Sequence, residues 1–291
     1  MKERNAPMLH PLPDIMLEPL VRAGLLEDLG RAGDLTTDAV IGEGDTIVRA
    51  AFVARQQGVI AGLDMARLSF ALMDRRITFT PKLRDGGRVA PGDVLATVEG
   101  PARGILSGER VGLNFLSHLS GIATATAAVV DLVRPYRARI TCTRKTMPGL
   151  RAIQKYAVRA GGGSNHRFGL DDAILIKDNH LAFAGGVRPA VERARAAAGH
   201  LVRIELEVDT LDQLREGLET GGVDVFLLDN MPPDTLREAV KLVDGRAITE
   251  ASGGITPDTV TAVAKAGVDL ISLGWLTHTV RVMDIGLDYQ P

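Results

Sequence analysis

The chain has one cysteine, Cys142, among 291 residues. A single thiol closes no internal disulfide and builds no cysteine-based zinc site. It stands one residue before Thr143 with no activating base evident beside it, so it reads as a small core residue rather than a nucleophile. Aromatic residues are scarce at 4% while hydrophobic residues make up 45%. Val, Ile, Leu and Ala must therefore fill the core, as they do in buried parallel sheets. Neither sign of charge dominates: the net charge is −2, which excludes a global basic field for nucleic acid or an anionic membrane. No apolar run reads as long enough to span a bilayer, because the stretch 122–133 is short and carries Thr124, Thr126 and Asp131. The N-terminal MKERNAPMLHPLPD lacks the apolar segment of a secretory signal. These absences leave a soluble, enzyme-sized chain, expected in a reducing cytoplasm.

What is present is concentrated. Between Thr143 and His180 lie TRKTMPGLR, GGGSNHRFGL and IKDNH, which bring Arg144, Lys145, Arg151, His166, Arg167 and Lys177 around a triple-glycine run. Arginine forks and lysine ammoniums beside a glycine turn suit a ligand with several carboxylates or phosphates. A small polyanion is the first functional expectation.

The organisation divides in two. Residues 1–13 read as a loose arm, and Asp14 caps a helix running to about residue 29. GDLTTDAV reads as a turn, 46–54 as a strand, 63–73 as a helix, and 77–80 and 94–99 as further strands. This non-alternating order predicts a small α+β unit. From Ser107 a helical pattern runs towards Val133 with a break expected near Ser120-Gly121.

Beyond it, six short apolar runs (ARITC, AILIKD, VRIELEV, VDVFLLDN, RAITEAS and VDLISLG) alternate with amphipathic segments at 150–159, 187–198, 211–219, 234–243 and 258–266. Repeated βα units imply parallel strands with right-handed crossovers, in a barrel or a doubly wound sheet. Chemically distinctive residues follow every run: Arg144-Lys145, Lys177, Glu207, Asp229, Ser252-Gly253-Gly254 and Leu273-Gly274. An open sheet converges only the strands at its switch point, whereas a barrel converges all of them on one mouth. The expectation is an α/β barrel, open or incomplete.

The strand ends suggest a division of labour. Arg144, Lys145, Arg167 and Lys177 form the cationic side, with His166 a phosphate or carboxylate contact. Glu205 and Glu207 alternate with apolar residues and so share one face of their strand. With Asp229 they suit ribose hydroxyls or a hydrated Mg²⁺, the alternative being internal ion pairs with the arginines. Ser252, Gly253 and Gly254, with Leu273, Gly274 and Trp275, read as a phosphate clasp made from backbone N–H groups. The triple glycine reads as an αL cap ending the preceding helix.

Taken together, these motifs resemble the quinolinate phosphoribosyltransferases, the carboxylating nicotinate-nucleotide pyrophosphorylases of NAD synthesis. The resemblance runs through EDLGRAGDLTT, SGERVGLNFLSHLSGIAT, CTRKTMPGLRAIQKYAVRAGGGSNHRFGLDDAILIKDNH, IELEVDT, FLLDN, EASGGI and GVDLISLGWLTHTVRVMDIGL. It implies an N-terminal α/β sandwich domain at 1–115, an open barrel at 116–275, and a tail, 276–291, returning to the first domain. It also implies a homodimer or larger assembly in which Arg110 reaches the partner's site. By the same resemblance Thr143, Arg144, Lys145, His166, Arg167 and Lys177 bind quinolinate and pyrophosphate. Glu207 and Asp229 hold the ribose hydroxyls and Mg²⁺, with Lys145, Glu207 and Asp229 carrying the chemistry. Ser252, Gly253, Gly254, Leu273, Gly274 and Trp275 hold the 5-phosphate. Many relatives carry Asp where Cys142 stands and a small residue where Trp275 stands. Two rivals share part of this pattern: the paralogues associated with molybdenum transport operons, and a non-catalytic nucleotide-binding module.

Overall fold

The computed structural model describes residues 9–41 and 46–290. The first eight residues of the expected N-terminal arm lie outside them. In chain order the elements are α1 (Asp14–Leu29), α2 (Leu35–Ile41), β1 (Ile47–Ala54), β2 (Gly58–Val59), α3 (Leu63–Met73), β3 (Thr78–Pro81), β4 (Arg88–Val89), β5 (Val94–Pro101) and α4 (Ala102–Val133). There follow β6 (Arg139–Thr141), α5 (Arg151–Ala160), β7 (Ile174–Ile176), α6 (Asp178–Ala184), α7 (Val187–Ala197), β8 (Ile204–Val208) and α8 (Leu211–Thr220). The chain finishes with β9 (Val225–Asp229), α9 (Pro233–Val243), β10 (Ile248–Ser252), α10 (Val260–Lys265), β11 (Leu270–Ser272), a 3₁₀ turn at Gly274–Thr277, and β12 (Ile285–Gln290).

Two compact units result: Met1–Ala127 with Met147–Gly162 and Thr279–Pro291, and Ala128–Thr146 with Gly163–His278. The first is built on a four-stranded antiparallel sheet ordered β12-β1-β5-β3. Its core collects Phe52, Phe70, Leu95, Val98, Ile105 and Leu116, all fully buried. Phe52 meets Phe70 and Phe79 edge-on at centroid distances of 5.8 and 5.7 Å, the favoured arrangement for aromatic quadrupoles.

Three local expectations are corrected in this unit. GDLTTDAV is not a bare turn; it contains α2, because the Asp34 carboxylate accepts hydrogen bonds from the Thr37 amide (2.9 Å) and hydroxyl (2.6 Å). Those bonds hold the Asp34 carboxyl below its usual range. The cap of α1 is Pro13, with Asp14 inside its first turn. Finally, α4 runs unbroken through Ser120-Gly121.

The Ser120 hydroxyl accepts a hydrogen bond from the Ala61 amide at 3.1 Å. A Cβ on Gly121 would fall 2.3 Å from the Arg281 carbonyl oxygen. The glycine thus serves close packing, not helix termination. Because α4 is continuous, it is long and apolar enough to cross a membrane by length and composition, contrary to the expectation of no such run. Here it serves as a core helix, burying Ile105, Val111, Leu113, Leu116, Leu119 and Ile122.

The second unit holds a parallel sheet ordered β6-β11-β10-β9-β8-β7. Read from β7, the order is consecutive to β11 and then returns to β6, the first strand of the series. Curling into a barrel brings the first strand beside the last; a doubly wound sheet would reverse direction at a switch point instead. β6 and β7 do not pair, and a single parallel bridge from Thr141 to Ser164 lies at the β6 edge. The barrel is open there, as the sequence suggested.

The triple glycine ends α5 with the expected left-handed cap, which falls on Gly162, one residue past the C-cap Gly161. Gly161, at the end of α5, has φ −75° and is required for packing, since a Cβ would lie 2.4 Å from the Ala123 carbonyl oxygen. Gly162 takes the left-handed conformation at φ +88°.

Candidate active site

Parallel strands place all their C-terminal ends on one side of a sheet, and the distinctive residues collect there. Arg144 and Lys145 follow β6, and Lys177 follows β7 directly. Glu207 lies in the last turn of pleat of β8, Asp229 ends β9, Ser252 ends β10, and Leu273 and Gly274 follow β11.

Two guanidiniums form the first cluster. Arg167 donates from Nη1 to the Ala173 carbonyl at 3.0 Å, and its Nε is buried without a hydrogen-bond partner. Arg144 has a buried, unpartnered Nε as well. Burial, and next the charge of Arg144, push the Arg167 guanidinium below its usual range, against the pull of Glu205 and Asp172. Two neighbouring cations with unsatisfied donors are strained electrostatically until an anion joins them.

A second cluster gathers carboxylates. Lys177 Nζ stands 2.6 Å from Glu207 Oε2; the lysine is half exposed and the glutamate buried. The Lys177 amide donates to His180 Nδ1 at 2.9 Å, which fixes the start of α6. The Asp229 carboxyl is raised above its usual range, first by burial and then by Glu207 and Asp209, while Lys177 and Lys145 partly oppose the shift. Negative charge is in surplus at this point, so the donor set fits a divalent cation. Glu207 and Asp229 are the residues that would hold such a cation.

Glycine-bearing loops make the third part. Gly253 and Gly254 adopt φ +94° and +60°, and neighbouring Asn230 is left-handed at +54°. A Cβ on Gly253 would meet Asn230 Oδ1 at 2.1 Å, so only glycine fits there. Asn230 takes its amide hydrogen bond to the Ser252 carbonyl (2.9 Å) and donates from Nδ2 to Asp229 Oδ2 (2.5 Å). It therefore ties the clasp to the carboxylate cluster.

The Trp275 indole N–H donates to the Ile255 carbonyl at 3.0 Å, joining the loop after β11 to the loop after β10. Thr277 donates to the Lys145 carbonyl at 2.7 Å, and the Lys145 amide donates to Thr143 Oγ1 at 2.9 Å. Gly274 leaves room for the Lys145 side chain, whose Cδ would be 2.7 Å from an added Cβ.

Three residues have partners that the sequence did not specify or were missed by it. His166 has both ring nitrogens engaged within the chain: Nε2 lies 2.9 Å from Glu205 Oε2, and Nδ1 accepts the Arg167 amide at 2.8 Å. Glu205 accordingly partners a histidine, and Glu207 a lysine, rather than the arginines. Glu250, 2% exposed on β10, faces the same histidine and was not singled out. Its signal in sequence was a lone carboxylate inside the otherwise uncharged strand ITEAS. Asn230 was hidden because αL geometry is not written in a side-chain pattern. Arg110 is an exposed residue of α4 in the first unit. Cys142 is fully buried, as expected of a core residue.

Comparison with known proteins agrees over nearly the whole chain. Residues 34–120 match the model for "Quinolinate phosphoribosyl transferase, N-terminal domain" and residues 122–288 that for the C-terminal domain. A probable nicotinate-nucleotide pyrophosphorylase [carboxylating] of Bacillus subtilis is 47% identical over 274 residues, covering 94% of this chain and 93% of that protein. The Mycobacterium leprae nicotinate-nucleotide pyrophosphorylase [carboxylating] is 47% identical over 275 residues, with coverages of 92% and 95%. The solved nicotinate-nucleotide pyrophosphorylase of Francisella tularensis superposes with a TM-score of 0.92 at 36% identity, covering 98% of this chain and 100% of that one.

Proposed function

The chain belongs to the quinolinate phosphoribosyltransferase family, and from that membership we propose that it joins quinolinate to 5-phosphoribosyl-1-pyrophosphate in NAD synthesis. The products are nicotinate mononucleotide, pyrophosphate and carbon dioxide. The observation that carries the reading is the separation of two electrostatic environments at one barrel mouth: two arginines with unsatisfied buried donors, and a lysine-carboxylate cluster bordered by glycine loops.

Each cluster suits one part of the reaction. Arg144 and Arg167 take the dicarboxylate and hold its ring nitrogen towards C1 of the ribose, a positioning effect. As the C1–O bond to pyrophosphate breaks, positive charge develops on the ribose, which the Glu207 and Asp229 carboxylates stabilise. Lys145 and Lys177 face the negative charge gathering on the leaving pyrophosphate. Glu207 and Asp229 would hold Mg²⁺, which when bound would help neutralise that same charge. The Ser252-Gly253-Gly254 and Leu273-Gly274-Trp275 loops hold the 5-phosphate with backbone donors. Once the C1–N bond has formed, the C2 carboxylate leaves as carbon dioxide. The pyridinium nitrogen stabilises the carbanion left at C2, which takes a proton. The lone buried Cys142 suits a reducing cytoplasm.

Purified protein mixed with both substrates and Mg²⁺ is expected to consume quinolinate and form nicotinate mononucleotide, followed by chromatography. Absence of product across varied metal and pH would end this assignment. Donor binding without turnover would leave a nucleotide-binding module. That binding is readable from the fluorescence of Trp275, the chain's one tryptophan.

We assign Arg110 to the site of a second copy in a homodimer. An Arg110→Ala chain and a Lys177→Ala chain, each inactive alone, are then expected to regain about a quarter of wild-type activity when exchanged into mixed dimers. No recovery after verified subunit exchange would remove Arg110 from a shared site.

A further inference from the structure

β8 and β10 each bury a glutamate, Glu205 and Glu250. The side chain of Glu205 is 9% exposed and that of Glu250 2%, and both retain a buried Oε1 with no hydrogen-bond partner. Between them stands His166, with Nε2 2.9 Å from Glu205 Oε2 and 3.6 Å from Glu250 Oε1.

The three groups are close enough together to suggest a metal site. The other side of the imidazole argues against it. Nδ1 accepts the Arg167 amide at 2.8 Å, so the proton of the neutral ring sits on Nε2, where a metal would need a lone pair. Nε2–H instead points at the carboxylates.

Such an arrangement is poor for stability. Two buried carboxylates around a neutral imidazole cost desolvation that an apolar trio of similar volume would avoid. Burial, and next the charge of Glu205, push the Glu250 carboxyl up to about 7. What the cluster gains is orientation: one edge of the imidazole meets Glu205 at 2.9 Å with Glu250 alongside at 3.6 Å, and its other edge receives the amide of the residue that carries a substrate-facing guanidinium.

We propose that Glu250 is a positioning residue for quinolinate recognition: its carboxyl, 3.6 Å from Nε2, keeps the His166 ring turned to Glu205 and, through the His166–Arg167 hydrogen bond, fixes the backbone that carries the Arg167 guanidinium. This rests on the reading of Arg167 as a ligand of the dicarboxylate. It predicts a selective defect. Glu250→Leu removes the polar support and leaves a well-filled barrel; Glu250→Gln keeps the size and one acceptor.

The Leu variant is expected to unfold at the same urea concentration as wild type or a higher one. Its quinolinate KM should rise about tenfold, with the donor KM and the Trp275 fluorescence response to donor unchanged. Gln is expected to restore the quinolinate KM to within about threefold of wild type. In protein with ¹⁵N-labelled histidine, wild-type His166 should show the Nε2–H tautomer and the Leu variant a loss of that fixed state. The NMR reading needs no turnover, so it stands even if quinolinate proves not to be the substrate.

An unchanged quinolinate KM in the Leu variant would overturn the proposal. So would equal losses for both substrates, or an unaltered His166 spectrum. If the Leu variant fails to fold, a Gln variant with wild-type His166 signals and quinolinate KM supports the proposal; one with both signals altered and both KM values raised alike overturns it.

Discussion

Replacing Arg167 by alanine is expected to raise the quinolinate KM about 100-fold or more while the donor KM changes less than about threefold. Truncating one partner of a desolvated charge pair costs about 2–5 kcal/mol, and each 1.4 kcal/mol is roughly tenfold. The guanidinium has an unsatisfied buried Nε, and its charged form is disfavoured by burial and by Arg144. A dianion arriving there relieves both penalties, so little of the interaction is spent before substrate binds. Arg167→Lys should recover only a small part of the loss, because an ammonium cannot bond a carboxylate through two parallel donors. Steady-state kinetics with each substrate varied in turn makes the check. If both KM values rose equally, Arg167 would not belong to the dicarboxylate half of the site.

The second large effect concerns the carboxylates. Glu207→Gln and Asp229→Asn are each expected to lower kcat by roughly 10²- to 10³-fold, the range found when one preorganised electrostatic group is removed from a transition state. KM for the donor should move much less, because positive charge on the ribose is present only as the C1–O bond breaks. Both replacements keep shape, and Lys177, left by Glu207→Gln, is half exposed and free to take water. Melting temperatures should therefore stay near that of the wild type. The double variant is expected to lose less than the product of the single losses, since both groups act on the same charge. A rise in donor KM with kcat preserved would confine Glu207 and Asp229 to ground-state binding.

The barrel was legible because its evidence is periodic. Six apolar runs with amphipathic segments between them state repeated βα units, and the residues following each run state the functional face. Where the reading failed, a single side chain's partner decided the local structure. Asp34 turned a predicted turn into α2 by capping it. Gly121, a helix breaker by propensity, stays helical because the Arg281 backbone needs the space beside it. The short helix Asp178–Ala184 was missed because seven residues hold too little pattern to stand out from the strand before it.

The chain's sequence by itself determined the family, the barrel and the kinds of charge at its mouth. Each follows from residue type and spacing, which survive without coordinates. Tertiary structure alone decided how those charges pair. Which carboxylate meets Lys177, which meets His166, and which guanidinium is left unsatisfied depend on strands distant in sequence curling to face one another across the barrel. Glu205 and Glu207, two residues apart on one strand face, are equivalent by pattern. They part roles because two residues along a strand, a rise of roughly 7 Å, put one beside an imidazole and the other beside an ammonium.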